Sequence, residues 1–246
     1  MAGFLIALCV VSGAVAPTAA AGLDEAETRY EQGDMAGAAS LARSLASAKG
    51  FTLAARATLV EAIYRSSDAD KQALVEQAAA DAAAALARDP NHVDAQLQLA
   101  IALGQLADLE DPLSAHVNGY AKRGKALIDR ALALDPDNEW AHALLGMWHL
   151  RIVQRAGDAL AASLYGASRN TGIELCAQAM AAPHEAFALK YGCARTLFEL
   201  DPDQFADTAE QTLAAVKQTN PRDAADRLVQ AAAGRLLAEV ETTRPQ

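Results

Sequence analysis

The sequence is poor in aromatic residues and lacks the alternating Val, Ile, Thr and aromatic pattern of β-strands. Aromatics make up only 5% of its 246 residues, although hydrophobic residues reach 52%. Alanine and leucine therefore carry most of the apolar content, and both are strong helix formers. Because strands need the missing alternation, the sequence predicts an all-α fold.

Positive charge is also scarce, since 21 Lys and Arg residues stand against 31 Asp and Glu residues, for a net charge of −10. Nucleic acid binding needs a basic surface to meet the phosphates, and adhesion to anionic lipid needs one too. The charge therefore excludes a nucleic acid partner and disfavours anionic lipid. Acidity mainly supports solubility and identifies no partner.

The common catalytic motifs are missing as well. The chain has no Gly-x-x-x-x-Gly-Lys-Ser/Thr phosphate loop, no Gly-x-Ser-x-Gly nucleophile elbow, no His-Glu-x-x-His and no Cys-x-x-Cys. Its five histidines are spread along the chain. We therefore expect a non-catalytic protein without cofactor or metal, with an enzyme of dispersed catalytic residues as the remaining alternative.

The N-terminal region carries no charged side chain before Asp24. An apolar stretch from Phe4 to Val15 is followed by Ala19-Ala20-Ala21, which fits a hydrophobic region and a small-residue cleavage site. We expect a signal peptide over residues 1–21, export to the periplasm and peripheral association with the envelope. An uncleaved membrane anchor and a cytosolic protein stay open as alternatives. Residues 22–246 are predicted to form a single domain.

Only two cysteines, Cys176 and Cys193, remain beyond this leader. In an exported protein such a pair could form a disulfide. Pro183 lies between them and predicts a turn that would bring two antiparallel helices together. Alanine-rich helices also bury free cysteines as small hydrophobes, so both states stay open.

Proline follows helical patterns at regular places along the chain: Asp89-Pro90, Asp135-Pro136, Asp201-Pro202 and Asn220-Pro221. Proline lacks the N–H that a helix interior needs, so each pair predicts a helix end. The recurring turn between amphipathic segments indicates a helical repeat of about ten or eleven antiparallel helices. We expect an insertion with broken helix near residues 155–171, around Gly157, Gly166 and Gly172, and a capping helix near 222–241.

Two segments resemble parts of the tetratricopeptide repeat (TPR). TRYEQGDMAGAASLARSL (28–45) resembles the middle of the motif through Tyr30, Gly33, Asp34, Met35 and Ala38. ALDPDNEWAHALLG (133–146) is similar to its end through Pro136 and the Leu145-Gly146 pair, with Gly124 and Ala131 on the small-residue positions before it. The resemblance implies a right-handed α-solenoid of antiparallel helix pairs, in which small residues let paired helices approach closely.

A more distant likeness is carried by LLGMWHL (144–150), which a long inter-helix insertion follows. This arrangement is similar to the divergent repeats of microtubule-dynamics-regulator-like proteins.

His142 and His149 suggest a metal site at first sight because they are two helical turns apart on one face. That spacing separates them by about 10.5 Å along a helix axis, whereas zinc ligands lie about 2 Å from the metal. A straight helix cannot offer both to one ion. The repeat register places both at positions where the TPR motif has large packing residues, so we expect a structural role for each.

The opposite side of the same helix carries the candidate binding residues. Its stripe contains Trp140, Leu144, Met147 and Arg151, and the matching stripe one repeat earlier contains Asp94, Leu97, Gln98, Ile101 and Gln105. The TPR resemblance implies that this side lines a concave groove, and such grooves often bind peptide. We therefore predict a scaffold that binds a protein or peptide partner.

Two alternatives to this groove stay open. The 155–171 insertion could fold over it and bury Trp140 and Met147. A closed apolar cavity near those residues would instead suit a small-ligand-binding component of an envelope transport system. The oligomeric state is not predicted.

Overall fold

The computed structural model describes residues 19–182 and 186–243, which form twelve α-helices and no strand. This confirms the all-α prediction. The helices are α1 (Ala19–Gln32), α2 (Met35–Ser44), α3 (Ala48–Tyr64), α4 (Asp68–Arg88), α5 (Val93–Leu109), α6 (Pro112–Val117), α7 (Tyr120–Leu134), α8 (Glu139–Tyr165), α9 (Arg169–Ala181), α10 (Phe187–Leu200), α11 (Pro202–Gln218) and α12 (Ala224–Thr243).

The helices pack as successive pairs, which is the architecture of an α-solenoid. Helix α1 packs on α2, α3 on α4, α5 on α7, α8 on α9, and α10 on α11. Neighbouring pairs are joined by contacts such as α2 with α3, α4 with α5, and α7 with α8. In chain order, the short helix α6 lies between α5 and α7, the members of the third pair. Each pair buries its apolar face against the next, so no pair forms a core alone.

Helix boundaries follow local signals in the sequence. The Asp34 carboxylate caps α2 by accepting a bond from the Gly37 N–H at 2.9 Å. Asp89 and Asp135, each before a proline, are the C-terminal cap residues of α4 and α7. Asp201 both ends α10 and caps α11. The boundaries predicted at Asp89, Asp135 and Asp201 therefore agree with the structure, whereas the turn predicted at Pro183 lies outside the described residues.

The TPR-like residues of the first pair lie in its core. Tyr30, Met35 and Ala38 belong to one buried cluster, and Gly33 has a φ of +93°, which favours glycine. Burial raises the pKa of the Tyr30 hydroxyl to about 12, although the adjacent Arg56 acts to lower it. The resemblance thus corresponds to packing and turn geometry.

The insertion near 155–171 is more helical than expected. Helix α8 runs through it to Tyr165, kinks at Gly157 with a φ of +74°, and ends at Gly166 with a φ of +68°. The expected break at Gly172 is wrong, because this glycine lies inside α9. There it packs against Gly146 of α8, whose carbonyl oxygen lies 3.0 Å from the position a Gly172 Cβ would take.

The two segments added between paired helices expose apolar side chains. Leu113 and Val117 on α6 are 72% and 75% exposed, and Leu160 and Leu164 on α8 are 55% and 53% exposed. The His116 ring of α6 meets the Tyr165 ring edge-on, with centroids 5.9 Å apart, so the two segments touch.

The last helix joins the two ends of the array. Ala224 and Ala225 of α12 belong to the α1–α3 cluster, whereas Val229 and Leu236 pack with α10 and α11. The expected capping helix is therefore apolar where it faces both ends of the array, and Arg227, Arg235 and Glu239 are exposed on its outer side. Its contact with α1 and α3 brings the fifth pair towards the first two.

Helices α3 and α10 meet across the concave side. The rings of Tyr64 and Tyr191 lie 6.2 Å apart between centroids, and burial raises the pKa of Tyr64 well above its usual value. This contact narrows the concave surface, which becomes a pocket at the centre of the array.

None of the described helices is long and apolar enough to cross a membrane. Most of the expected leader, residues 1–18, lies outside the described residues, and residues 19–21 form the start of α1.

Candidate partner-binding pocket

The concave side holds a pocket of about 220 Å³ between α3, α5, α7, α8 and α10, here called the central pocket. Most of its wall is apolar. Leu144 and Met147 of α8 face it together with Ile101 of α5, Ile128 of α7 and Leu189 of α10. Side chains from three different helix pairs therefore share one cavity.

Six of the predicted groove residues line the central pocket: Trp140, Leu144, Met147, Arg151, Ile101 and Gln105. Asp94 and Gln98 are not among its lining residues. Leu97 is only 3% exposed and packs with Ala131 and Ala141, so it is not available to a partner. The first half of α5 packs on α7 and α8, and only its second half reaches the pocket.

Several lining residues were missed from the sequence. Leu189, Tyr191, Gly192 and Arg195 come from α10, for which no groove residue was predicted from the sequence. Ile63 comes from the end of α3. The available signal was the spacing of Leu189, Gly192 and Thr196 along one helical face, which marks α10 as the first helix of another pair.

Two glycines form open wall positions of the pocket. Gly104 of α5 and Gly124 of α7 both line it, and a Cβ added at either would have nothing within 4 Å. The sequence assigned Gly124 to a close approach of paired helices. That assignment is wrong, because the space beside Gly124 is the cavity itself.

Both tryptophans of the chain line the central pocket. Trp148 donates its indole N–H to the Ala121 carbonyl at 2.9 Å, which fixes its ring against α7. Trp140 is 41% exposed. Of the 155–171 insertion only Arg155 reaches the lining, so the insertion does not cover Trp140.

Charged side chains form one rim of the pocket. Arg151 donates to the Asp108 carboxylate, and Arg155 lies 3.8 Å from the other oxygen of Asp108. Arg151 also lies 3.7 Å from Glu199, which Arg195 contacts from the next turn of α10. Burial acts to lower the pKa of Arg195, but Glu199 and Tyr191 raise it above its usual value. The rim is therefore a connected ionic network.

Residues 23–241 match the family model described as Regulator of microtubule dynamics protein 1-3. The chain belongs to this family. The likeness inferred from Leu144–Leu150 is thereby confirmed. No curated protein sequence is significantly similar to the chain.

The fold of this family member is also similar to the crystal structure of a thermophilic TPR protein from Thermus thermophilus. The two align with a TM-score of 0.60 and 19% identity, over 89% of this chain and 100% of the other. This likeness confirms the TPR-like α-solenoid. Such folds generally serve as scaffolds or mediate protein interactions and are typically not enzymes.

Cys176 and Cys193 of this regulator-family chain lie side by side on α9 and α10. Cys176 and Cys193 are both free thiols, fully buried in one cluster with Leu150 and Leu197. A hydrogen bond between its side chain and that of Cys176, together with burial, raises the pKa of the Cys193 thiol. The expected juxtaposition is present, and disulfide formation stays a prediction.

Metal-binding clusters are absent from residues 19–182 and 186–243, where no three His, Cys, Asp or Glu side chains converge. His142 and His149 instead contact the backbone. The His142 ring lies 2.8 Å from the Pro136 carbonyl, and His149 accepts the Ser168 N–H at 3.0 Å. Both histidines therefore have structural contacts.

His149 should make stability depend on pH. It is 6% exposed, and burial, aided by the charge of Lys125, lowers its pKa. An unfolded histidine binds a proton near about pH 6.5. Below that pH the unfolded state therefore binds more protons than the folded state. As the pH falls further, the free energy of unfolding decreases until the pH is below the folded-state pKa. Protonation at Nδ1 would also remove the acceptor of the Ser168 N–H.

Urea unfolding above and below about pH 6.5 measures this effect. The variant His149→Gln, whose amide does not titrate, should lose part of the wild-type pH dependence. His142→Gln on the same helix is the matched control and should keep it. An unchanged dependence in His149→Gln would contradict the assignment.

Proposed function

We propose that this chain is a non-catalytic TPR-like scaffold of the cell envelope that binds a protein or peptide partner through its central pocket. The observation that carries the proposal is the apolar pocket on the concave side, with Trp140 at 41% exposure and Arg151 on the rim. Tryptophan and arginine are enriched at the centres of protein interfaces, where they provide much of the binding energy.

The size of the pocket favours a side chain of a partner as its occupant. Pockets for drug-sized ligands usually measure about 300–1,000 Å³. The central pocket, at about 220 Å³, is smaller. It is better matched to one bulky apolar side chain, with the rest of the partner lying over the concave surface. Apolar centre and polar rim together have the usual anatomy of an interface.

The envelope location is a proposal that rests on the uncharged apolar leader of residues 1–21.

A small-ligand carrier is the second candidate function. The Tyr64–Tyr191 contact narrows the concave side. A narrowed concave side suits an enclosed small ligand better than an open groove does. A bound small molecule would have to fill the same apolar volume.

Filling the pocket tests both candidates. Gly124→Leu adds a side chain into the empty space, and Gly234→Leu on α12 is a matched control, because its Cβ also has nothing within 4 Å. Partners captured from envelope extract by the wild type should be lost with Gly124→Leu and kept with Gly234→Leu. Trp140→Ala and Arg151→Glu should also weaken capture. Quantitative mass spectrometry of the captured proteins measures this.

The outcomes separate the candidates. If Gly124→Leu, Trp140→Ala and Arg151→Glu all keep every partner, the groove hypothesis fails. If native mass spectrometry of the purified wild type finds a bound small molecule that Gly124→Leu lacks, the carrier function is favoured.

A further inference from the structure

The charged residues that line the central pocket have an excess of positive charge. Arg151, Arg155 and Arg195 line it, and Asp108 is the one carboxylate among the lining residues that the structure describes. Counting Glu199, which contacts Arg151 and Arg195, three guanidinium groups meet two carboxylates. This local excess stands out in a chain with a net charge of −10.

The carboxylates of the rim are shared between guanidinium groups. Asp108 contacts both Arg151 and Arg155, and Glu199 contacts both Arg151 and Arg195. Each guanidinium carries five N–H donors in a planar fork that suits a carboxylate. Arg155 also donates to the Ala107 carbonyl at 2.6 Å. Two carboxylates and this carbonyl still cannot use all the donors of three arginines, so the rim has donor capacity for another anion.

The positive rim adjoins the apolar wall on the same helix. Met147 and Arg151 are one turn apart on α8, and Leu144 lies one turn further from the rim. An occupant with its apolar group beside Leu144 and Met147 would have its neighbouring atoms close to the guanidinium groups. Met147 of the apolar wall and Arg151 of the positive rim are then about 6 Å apart along the helix axis. Neighbouring side chains of one short peptide segment can span that distance.

We propose that the central pocket recognises an acidic, apolar segment of a partner protein: a bulky apolar side chain with an Asp or Glu carboxylate beside it. This inference rests on the proposed function and adds the chemistry of the occupant. The apolar side chain fills the space beside Gly124, and the carboxylate is bound by Arg155 and its neighbours. Charge complementarity selects this occupant over a neutral segment.

A pair of probes with the same ring system tests the charge requirement. 1-Anilinonaphthalene-8-sulfonate carries one negative charge, and N-phenyl-1-naphthylamine is its neutral counterpart. Because both tryptophans of the chain line the pocket, energy transfer from tryptophan is most efficient to a probe bound there. Gly124→Leu should abolish this transfer and Gly234→Leu should keep it, which separates pocket binding from binding elsewhere.

The arginines should affect only the charged probe. We expect Arg155→Gln and Arg195→Gln each to weaken the sulfonate probe about tenfold and to leave the neutral probe within about twofold. Added salt should likewise weaken the sulfonate alone. Arg169→Gln is the matched control, since Arg169 is also ion-paired, with Asp158, and does not line the pocket.

Peptide competition tests whether the occupant is a protein segment. Acetyl-Glu-Leu-Phe-Glu-amide should displace the sulfonate probe at a lower concentration than acetyl-Gln-Leu-Phe-Gln-amide. Equal binding of both probes, unchanged in Arg155→Gln, would overturn the charge inference while leaving the pocket as a binding site. Displacement by neither peptide would overturn the partner class in favour of a small anionic amphiphile. Failure of the proposed function itself would be seen separately, as partner capture that survives Gly124→Leu, Trp140→Ala and Arg151→Glu.

Discussion

Replacing Gly146 with leucine is expected to lower the free energy of unfolding by about 3 kcal/mol, the upper part of the usual range for overpacking. A Cβ at this position would lie 2.9 Å from the Leu175 Cβ, 3.1 Å from the Cys176 backbone nitrogen and 3.2 Å from the Gly172 carbonyl oxygen. Two of these neighbours are backbone atoms of α9, which no rotamer change can move. Relief requires α8 and α9 to separate.

The alanine variant gives a smaller but more diagnostic change. A helix interior gains roughly 1 kcal/mol when glycine becomes alanine, because glycine has more backbone entropy to lose. At Gly234, where a Cβ meets nothing within 4 Å, Gly234→Ala should therefore raise stability. At Gly146 the overlap should exceed that gain, so Gly146→Ala should lower stability. Urea unfolding of both variants measures opposite signs, and a stabilised Gly146→Ala would contradict the close approach.

Gly146 is also a residue whose role could be predicted from the sequence. The Leu145-Gly146 pair resembles the TPR motif, and the structure puts this glycine against a partner helix as that motif requires. Gly124 was assigned by the same register and faces an empty cavity instead. A motif position identifies which face of the helix a residue lies on. Whether a neighbouring helix packs against that residue depends on the orientation of the neighbouring helices.

Burial on α5 shows a related limit. Leu97 and Ile101 share one apolar stripe, which predicts that both face something apolar. In the structure Leu97 is covered by α7 and α8, and Ile101 lines the central pocket. The periodicity of an apolar stripe predicts which side chains face the interior. It does not predict whether they face a neighbouring helix or an unoccupied pocket.

Contacts between distant parts of the chain were beyond prediction. Tyr64 and Tyr191 meet because α12 packs on both ends of the array, and no local pattern in residues 222–241 encodes that return. The charged rim has the same origin, since Asp108, Arg151 and Arg195 come from three different helix pairs. Proline and capping residues define helix ends, whereas the pocket is a product of tertiary packing.

Replacing Arg43 with methionine is expected to lower the free energy of unfolding by about 3 kcal/mol. Arg43 of α2 binds Asp81 of α4 through two hydrogen bonds of 2.8 and 2.7 Å, and the Asp81 side chain is only 3% exposed. The bond to Asp81 raises the pKa of Arg43. Without Arg43 the buried carboxylate keeps the Gln77 amide, at 3.2 Å, as a neutral donor.

A matched surface pair shows whether burial is the cause. Arg169 binds Asp158, whose side chain is 62% exposed, so Arg169→Met should cost no more than about 1 kcal/mol. Urea unfolding at neutral pH compares the two variants. If Arg43→Met costs as little as Arg169→Met, the Arg43–Asp81 pair contributes no more than an exposed one.

The double variant Arg43→Met/Asp81→Asn separates the ion pair from the charge that its loss leaves behind. A buried neutral amide costs much less than a buried unpaired carboxylate, and asparagine keeps the shape of aspartate. The double variant should therefore be more stable than Arg43→Met alone. If the two substitutions destabilised the protein additively, the double variant would instead be the less stable of the two. Equal or lower stability would mean that the Asp81 site tolerates its charge unpaired. Because this pair joins α2 of the first helix pair to α4 of the second, its main effect would then be to set the orientation of the two pairs.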